Sequence, residues 1–231
     1  MVRLDKFLCD SGFGTRSEVK KIIKSGQVFV NDNLTKDNGM LISKDDKVKA
    51  CGKEVFERKP VYLMLNKPEG VVTANKDNLH KTVMDLIPVE LRKGVSAVGR
   101  LDIDTTGLLL LTDDGALNHH LVSPAHHVNK CYEVDLLNSF DDNQKLQLEN
   151  GVDLGNDEWS KEAVVEIVSD KKILLTITEG KYHQVKRMLH AVNNEVVGLK
   201  RISMGSLRLD GALGEGEYRE LTTEEIKLLK E

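Results

Sequence analysis

The chain is poor in aromatic residues and in cysteine. Aromatic side chains make up 4% of its 231 residues, so aliphatic side chains must fill whatever core it forms. Its three cysteines are far apart and include no Cys-x-x-Cys spacing, which argues against a disulfide framework and against a zinc site. The histidines at 119–120, 126–127 and 183 offer no better ligand set, because adjacent side chains diverge and no third ligand stands at helical spacing. We therefore predict that the protein holds no metal.

Long apolar runs are also missing. No stretch approaches the roughly 20 apolar residues that a membrane-spanning helix needs. The first residues, Met1 to Asp5, lack the apolar segment of a secretory signal. Hydrophobic residues nevertheless make up 40% of the chain, which is enough for two small domains or one larger one. We expect a soluble cytoplasmic protein.

The charge is unevenly distributed along the chain. The formal net charge is −4, but residues 1–59 carry 13 Lys and Arg against 9 Asp and Glu, a net of +4, and the remainder carries −8. Overall acidity would argue against a nucleic-acid partner. A local basic patch, however, is what attracts a polyanion, so the N-terminal part is the candidate nucleic-acid surface.

The N-terminal part reads as two short helices followed by a small sheet. Thr15 and Glu18 have capping-box spacing and predict the start of the second helix. On that helix Arg16, Lys20 and Lys24 recur every four residues and form one exposed basic ridge. Such a ridge is either an anchor for RNA phosphates or an ordinary solvated helix face, and its spacing alone favours neither.

The strongest sign of a catalytic site is the loop 99–107, which carries Asp102 and Asp104 and precedes the apolar run 108–111. That run predicts a buried strand, and a polar loop held by a buried strand is a typical place for chemistry. The two aspartates could also be turn residues, or the paired carboxylates of a glycosidase, although residues two apart need not converge on one bond. An aspartic protease is excluded, because its site needs two such aspartates in a symmetric pair.

Three further motifs accompany this loop. The run from Asn66 to Gly70 follows a predicted strand at 61–65, and its Lys67 faces either RNA or only the turn. Tyr132 lies in an alternating strand that begins at Lys130, where it is either a site residue or a core tyrosine. An amphipathic helix begins near Val185 and carries Lys186 and Arg187 in its first turn.

These motifs, in this order, resemble those of RNA pseudouridine synthases of the RsuA type, and residues 1–50 resemble the S4 RNA-binding domain. The sequence from Tyr182 to Met188 resembles that of the small-subunit branch of this family. The resemblance implies an α+β protein in which a small N-terminal S4-like domain (1–50) and a linker (51–60) precede a catalytic domain (61–231). That catalytic domain is expected to be a mixed, largely antiparallel sheet flanked by helices.

The resemblance also implies an activity, which is the isomerisation of a uridine in 16S rRNA, at the U516-type site, to pseudouridine. No cofactor is needed, because the product is an isomer of the substrate. We expect a monomer that acts on small-subunit RNA or on an assembly intermediate, away from membranes. The alternatives are a large-subunit (23S) rRNA synthase and a non-catalytic S4-type RNA-binding or ribosome-assembly protein.

The resemblance assigns site residues by position. Asp102 matches the catalytic aspartate, Tyr132 the tyrosine that packs against the base, and Lys186 the basic partner of that aspartate. A cation beside a carboxylate keeps it ionised, although Lys186 could equally contact phosphate or solvent. The predicted RNA-binding residues are Arg3, Lys6, Arg16, Ser17, Lys20, Lys21, Lys24, Lys67, Arg100 and Arg187.

Overall fold

The computed structural model describes residues 1–56 and 59–231, and its chain divides into two compact units, Met1–Lys59 and Pro60–Glu231. The mixed α/β architecture with a large, mostly antiparallel sheet confirms the predicted fold class. Within these described ranges, no helix is long and apolar enough to cross a membrane.

The first unit packs two helices on small antiparallel sheets. Helix α2 begins with the predicted capping box, in which Thr15 and Glu18 exchange hydrogen bonds. Leu4, Leu8 and Ile23 lie fully buried in the core of this unit. In chain order its elements are β1 (Val2–Arg3), α1 (Leu4–Asp10), α2 (Arg16–Lys24), β2 (Val28–Val30), β3 (Asn33–Leu34), β4 (Leu41–Ile42), β5 (Val48–Ala50) and β6 (Lys53–Val55). β1 pairs with β4, and the other strands form a sheet in the order β3-β2-β5-β6.

The predicted linker 51–60 is corrected by the structure. Strand β6 lies inside it and pairs with β5, and Val55 is buried in the core of the first unit. The polar composition of this segment hid a short strand whose outward-facing residues are charged, as expected when only one face of a strand is covered. The first unit therefore continues to Lys59. Glu57 and Arg58, which the linker prediction also covered, lie outside the described residues.

The second unit is built on one large sheet. Among its described residues the strand order is β11-β12-β10-β13-β9-β7-β15, with β14 beside β13 and β8 beside β9. All pairs are antiparallel except β13 with β9. The strands are β7 (Tyr62–Lys67), β8 (Ser96–Ala97), β9 (Thr106–Thr112), β10 (Lys130–Leu136), β11 (Val164–Ser169), β12 (Lys172–Ile177), β13 (Val196–Met204), β14 (Leu207–Arg208) and β15 (Tyr218–Glu220). The helices are α3 (Gly115–Val122), α4 (Asp142–Asn150), α5 (Gln184–Ala191) and α6 (Thr223–Lys230), with 3₁₀ turns at Val83–Leu86, Val89–Leu91 and Pro124–His126.

Strand β9 is buried on both faces, as its apolar run predicts. Leu109 and Leu111 pack in one hydrophobic cluster, whereas Leu108 and Leu110 pack in a second. Successive side chains of a strand point to opposite faces, so the two clusters lie on opposite sides of the sheet. This central strand, covered on both faces, carries the aspartate loop at its amino end.

Candidate active site

The aspartate loop, residues 99–107, is fastened to the segment that follows β7. The backbone N–H of Gly70 donates to the carbonyl oxygen of Ile103 at 2.9 Å. The Thr73 hydroxyl donates to the Leu101 carbonyl at 2.8 Å and accepts from the Leu101 N–H at 3.2 Å. These bonds hold the backbone on both sides of Asp102.

Lys67 provides a third anchor from beneath the loop. Its side chain is fully buried, and its ammonium donates to the carbonyl oxygens of Pro68, Ile103 and Thr105 at 3.0, 3.3 and 2.8 Å. Burial lowers the pKa of Lys67 to about 8, and the negative charges of nearby carboxylates offset that effect only in part. Lys67 is therefore a structural anchor of the loop. Its prediction as an RNA-binding residue is wrong for this structure, because a fully buried ammonium cannot reach a phosphate.

Gly107 lets β9 lie directly beside β13. Its φ is +96°, and a Cβ at this position would collide with the backbone of Arg201, its neighbour on β13. Glycine is the residue that tolerates both the positive φ and the close backbone approach. The parallel pairing places Arg201 directly beside the end of the aspartate loop.

The two aspartates of the loop meet one lysine. Lys186, in the first turn of α5, places its ammonium 2.6 and 2.7 Å from the two carboxylate oxygens of Asp104. The same ammonium is 3.4 Å from Oδ2 of Asp102, and Nε2 of His183 is 3.7 Å from Oδ1 of Asp102. Lys186 thus lies beside Asp102 as expected, but its tight, two-oxygen ion pair is with Asp104.

The ion pair changes the acidity of Asp104. Partial burial raises the pKa of Asp104, but the hydrogen bonds and charge of Lys186 outweigh it and leave that pKa below its usual value. Asp104 is consequently ionised at neutral pH. Its charge balances Lys186.

A cavity of about 740 Å³ opens in front of these residues. Asp102, Tyr132 and Lys186, the three predicted catalytic residues, all line it, and the exposed Arg100 lies at the same cavity. Tyr132 is only 8% exposed and stands opposite Arg201 across the β10–β13 pair. A pocket of this size, lined by mixed polar and apolar groups, fits a nucleotide-sized ligand.

Arg187 does not face this cavity. Its guanidinium donates to the carbonyl oxygen of Leu154 at 2.9 and 3.1 Å and pairs with Glu158 at 2.7 Å. It therefore holds the loop around residues 153–159 against α5. Its prediction as an RNA-binding residue needs correction, because its donors are already used within the protein.

The remaining predicted RNA-binding residues belong to the first unit. Its α2 ridge, consisting of Arg16, Lys20 and Lys24, is exposed along its length. The guanidinium of Arg3 differs, because it is paired with Asp5 at 2.9 Å. The others, Lys6, Ser17 and Lys21, are also exposed. RNA contact by this set stays a prediction.

Comparison with known proteins identifies the family. Residues 61–191 match the model of RNA pseudouridylate synthase, and residues 2–48 match the S4 domain. The chain is 48% identical over its full length, and 99% of the relative's, to a Bacillus subtilis protein named uncharacterized RNA pseudouridine synthase YtzG. It is 42% identical to ribosomal small subunit pseudouridine synthase A of Vibrio cholerae, over 97% of this chain and 98% of the relative. A crystal structure of a pseudouridylate synthase superposes with a TM-score of 0.72 at 41% identity, covering 99% of this chain and 100% of that one.

The chain belongs to the RNA pseudouridylate synthase family. The synthase assignment confirms the resemblance read from the motifs, and the S4 match confirms the N-terminal domain type.

Three further side chains line this synthase's cavity but were not among the predicted site residues: Lys130, His183 and Arg201. The pairing of Asp104 with Lys186 was not predicted either. Lys130 belonged to a recognised motif, but its strand pattern did not reveal that it is buried beside the cavity. His183 has a φ of 48° and stacks on Tyr182 with ring centroids 3.8 Å apart, and neither feature has a sequence signature. Arg201 lies in a plain strand, where only the pairing with β9 brings it to the site.

Proposed function

We propose that this synthase converts a uridine of small-subunit (16S) rRNA, at the U516-type site, to pseudouridine, with Asp102 as the catalytic carboxylate. The observation that carries the proposal is the convergence of Asp102, Tyr132 and Lys186 on one cavity from three separate parts of the chain. The choice of RNA is supported by relatives named ribosomal small subunit pseudouridine synthase A, such as those of Vibrio cholerae and Escherichia coli at 42% and 40% identity.

The geometry favours Asp102 over Asp104 for the chemistry. Both oxygens of Asp104 are held by Lys186 at 2.6 and 2.7 Å, whereas Asp102 approaches Lys186 with one oxygen only, Oδ2, at 3.4 Å. A carboxylate engaged on both oxygens is a weaker nucleophile and base than one with an oxygen free toward the cavity. Asp104 therefore positions Lys186, and Lys186 keeps a positive charge beside Asp102.

The substrate uridine must leave its stack to reach this cavity, as enzymes that act on a base require. The ring of Tyr132 forms part of the cavity wall against which the flipped base packs. Asp102 promotes cleavage of the N1–C1′ bond. The base then turns, C5 joins C1′, the C5 proton is lost and N1 is protonated, so the product is an isomer of the substrate and no cofactor is consumed.

The first unit supplies a second contact with the RNA. Its basic ridge, built by Arg16, Lys20 and Lys24, presents exposed cations at helical spacing. Such cations neutralise phosphates without reading bases, so they contribute affinity and little sequence preference. Selection of the target uridine then depends on the cavity and its rim, including Arg100.

The test is to map pseudouridines in ribosomal RNA from cells with and without the gene. We expect one 16S position to revert to uridine on deletion, to be restored by the wild-type gene, and to remain uridine with an Asp102→Asn gene. Loss of a 23S pseudouridine instead would assign the enzyme to the large subunit. An unchanged map would reject the proposal in favour of a non-catalytic RNA-binding role.

A further inference from the structure

Two buried cations that the proposed chemistry does not yet use lie at the floor of the cavity. Lys130 is 9% exposed and Arg201 is 1% exposed, yet both line the space that Asp102 and Tyr132 also line. Long cationic side chains are rarely buried to this degree unless they are paired. Their burial beside a substrate cavity therefore calls for a reason.

The protein itself satisfies these cations only in part. Nε of Arg201 donates to the Leu108 carbonyl at 2.8 Å, but among the described residues its buried Nη2 has no hydrogen-bond partner. The one hydrogen bond of the Lys130 ammonium within residues 1–56 and 59–231 goes to the Val128 carbonyl at 3.0 Å. A buried charged donor without an acceptor destabilises the protein. Such a donor beside a cavity is therefore placed to bond an acceptor on a bound ligand.

Neither cation forms a salt bridge with any residue in the described part of the chain. The charge of Glu179 does act on Lys130, but Glu179 already accepts from Gln184 at 2.6 Å and pairs with Lys181 at 3.4 Å. Burial, and then the positive charge of Arg201, lower the pKa of Lys130. The floor of the cavity is thus electropositive, whereas its mouth carries the two aspartates.

We propose that Lys130 and Arg201 bind the carbonyl oxygens of the target uracil and stabilise the negative charge that the base acquires when the N1–C1′ bond breaks. The inference rests on the proposed function, because it assigns roles within the same reaction. Tyr132 stands opposite Arg201 on the neighbouring strand and two residues from Lys130, so the base that packs on Tyr132 lies within reach of both cations.

The electron balance explains why cations belong here. When N1–C1′ breaks, the bonding pair leaves with the base and is delocalised over N1, O2 and O4. Fixed donors aimed at these oxygens stabilise the charge without reorganisation, as an oxyanion hole does. The base is neutral again once C5–C1′ has formed, C5 has lost its proton and N1 has gained one. The same cations therefore hold the base loosely both before and after the reaction.

A binding experiment tests the proposal without relying on turnover. The probes are uracil and 5-nitrouracil, whose nitro group makes the free base an anion at neutral pH, titrated into the full-length protein and followed by NMR. We expect the anion to bind at least about tenfold more tightly than uracil, and this preference to disappear in Arg201→Gln and in Lys130→Gln. Arg208→Gln, which removes the same charge from an exposed residue of β14 that does not line the cavity, is the matched control and should keep the preference.

The two substitutions differ in their risk to the fold. Because Arg201 also bonds to Leu108, the thermal unfolding of Arg201→Gln is compared with that of the wild type. If Arg201→Gln does not fold, the test depends on Lys130→Gln alone. An anion preference equal in wild type and Lys130→Gln would overturn the proposal. Displacement of 5-nitrouracil by inorganic phosphate at similar concentration would also overturn it, because the floor would then be a general phosphate site.

Turnover on RNA gives a second, independent readout. With 5-fluorouridine at the target position the departing base is a more stable anion, so the rate of N1–C1′ cleavage depends less on the two cations. The loss of cleavage rate in Lys130→Gln should therefore be about tenfold smaller on 5-fluorouridine than on uridine. Equal losses on both would show a merely structural role. A wrong target RNA would leave the binding preference intact, so failure of the proposed function and failure of this inference are distinguishable.

Discussion

The two units of this synthase use the same residue types in opposite ways. In the first unit Arg16, Lys20 and Lys24 are exposed on one helix, and their charge is available to a partner. In the second unit Lys67 and Arg201 are almost completely buried. They donate hydrogen bonds to backbone carbonyls, and Arg201 also lines the cavity. A count of basic residues therefore indicates nucleic-acid binding in the first unit and misleads in the second.

The difference follows from what surrounds each cation. A short helix on a small core leaves one face in water, so its lysines stay solvated. A central strand covered on both faces carries every side chain into the interior, where a cation must find acceptors. Lys67 ends such a strand and finds the carbonyl groups of the aspartate loop. Basic residues on doubly covered strands are thus better candidates for anchors of a site than for phosphate contacts.

The largest effect should come from Asp102→Asn. The substitution keeps the volume of the side chain but removes its anionic oxygen. We therefore expect the single-turnover rate of isomerisation of the target RNA to fall by at least about 10³-fold, with the thermal unfolding temperature unchanged. Asp104→Asn is the matched control in the same loop and beside the same lysine. It should cost less than about tenfold, because Lys186 still lies beside Asp102. Comparable losses in the two variants would mean that the roles of the aspartates are not separated as the distances suggest.

Lys186→Met should lower turnover at saturating RNA by about 100-fold while changing RNA affinity little. The reason is that its ammonium lies between two aspartates rather than on the surface. Rates and binding are to be measured over a range of salt concentrations. If affinity falls and its salt dependence flattens while saturated turnover is unchanged, Lys186 contacts phosphate and resembles the first unit after all.

Removing the ridge with Arg16→Gln, Lys20→Gln and Lys24→Gln together should weaken RNA binding about tenfold at physiological salt and reduce the salt slope by about 2 to 3. Turnover at saturating RNA should be unchanged, because these residues belong to the first unit. The matched control exchanges three exposed lysines outside α2 in that unit, Lys44, Lys47 and Lys53, for glutamine. Equal effects of the two triple variants would show that only net charge matters and that the ridge is an ordinary solvated face.

The smallest effect concerns a structural acid of the second unit, Asp114. Burial raises the pKa of Asp114, but hydrogen bonds from the Tyr62 hydroxyl, the backbone of α3 and Lys230 outweigh it and lower that pKa from 3.8 to about 2. A carboxylate whose pKa is lowered in the folded state stabilises the folded protein at any pH above its unfolded-state pKa. That contribution is lost as the pH falls through the folded-state pKa. The contribution should therefore be about 2 kcal/mol above pH 4 and should vanish between about pH 4 and pH 2.

Urea unfolding of wild type and Asp114→Asn across this range measures that contribution. Asparagine still caps the helix, so the difference between the two proteins isolates the charge. A difference that stays constant between pH 5 and about pH 2 would show that the ionised form gains nothing from Tyr62 and Lys230.

Much of this synthase could be predicted from local pattern. The buried run of β9, the capping box that starts α2 and the basic ridge each depend on residues within a few positions of one another. Helix and strand periodicity act over that same distance, so the sequence determines them directly. The order of the motifs also sufficed to indicate the family, because each motif is short and contiguous.

Only the tertiary structure decided which charges meet. Lys186 and Asp104 are 82 positions apart, and their ion pair depends on how α5 and the aspartate loop pack. Arg201 reaches the cavity because β13 runs parallel to β9 at the register that pairs it with Gly107. Register and packing depend on the whole sheet and its two clusters, whereas the sequence around each residue shows only its own periodicity. The chain alone therefore specified the strands, the ridge and the aspartate loop, and the fold alone assigned each cation its partner.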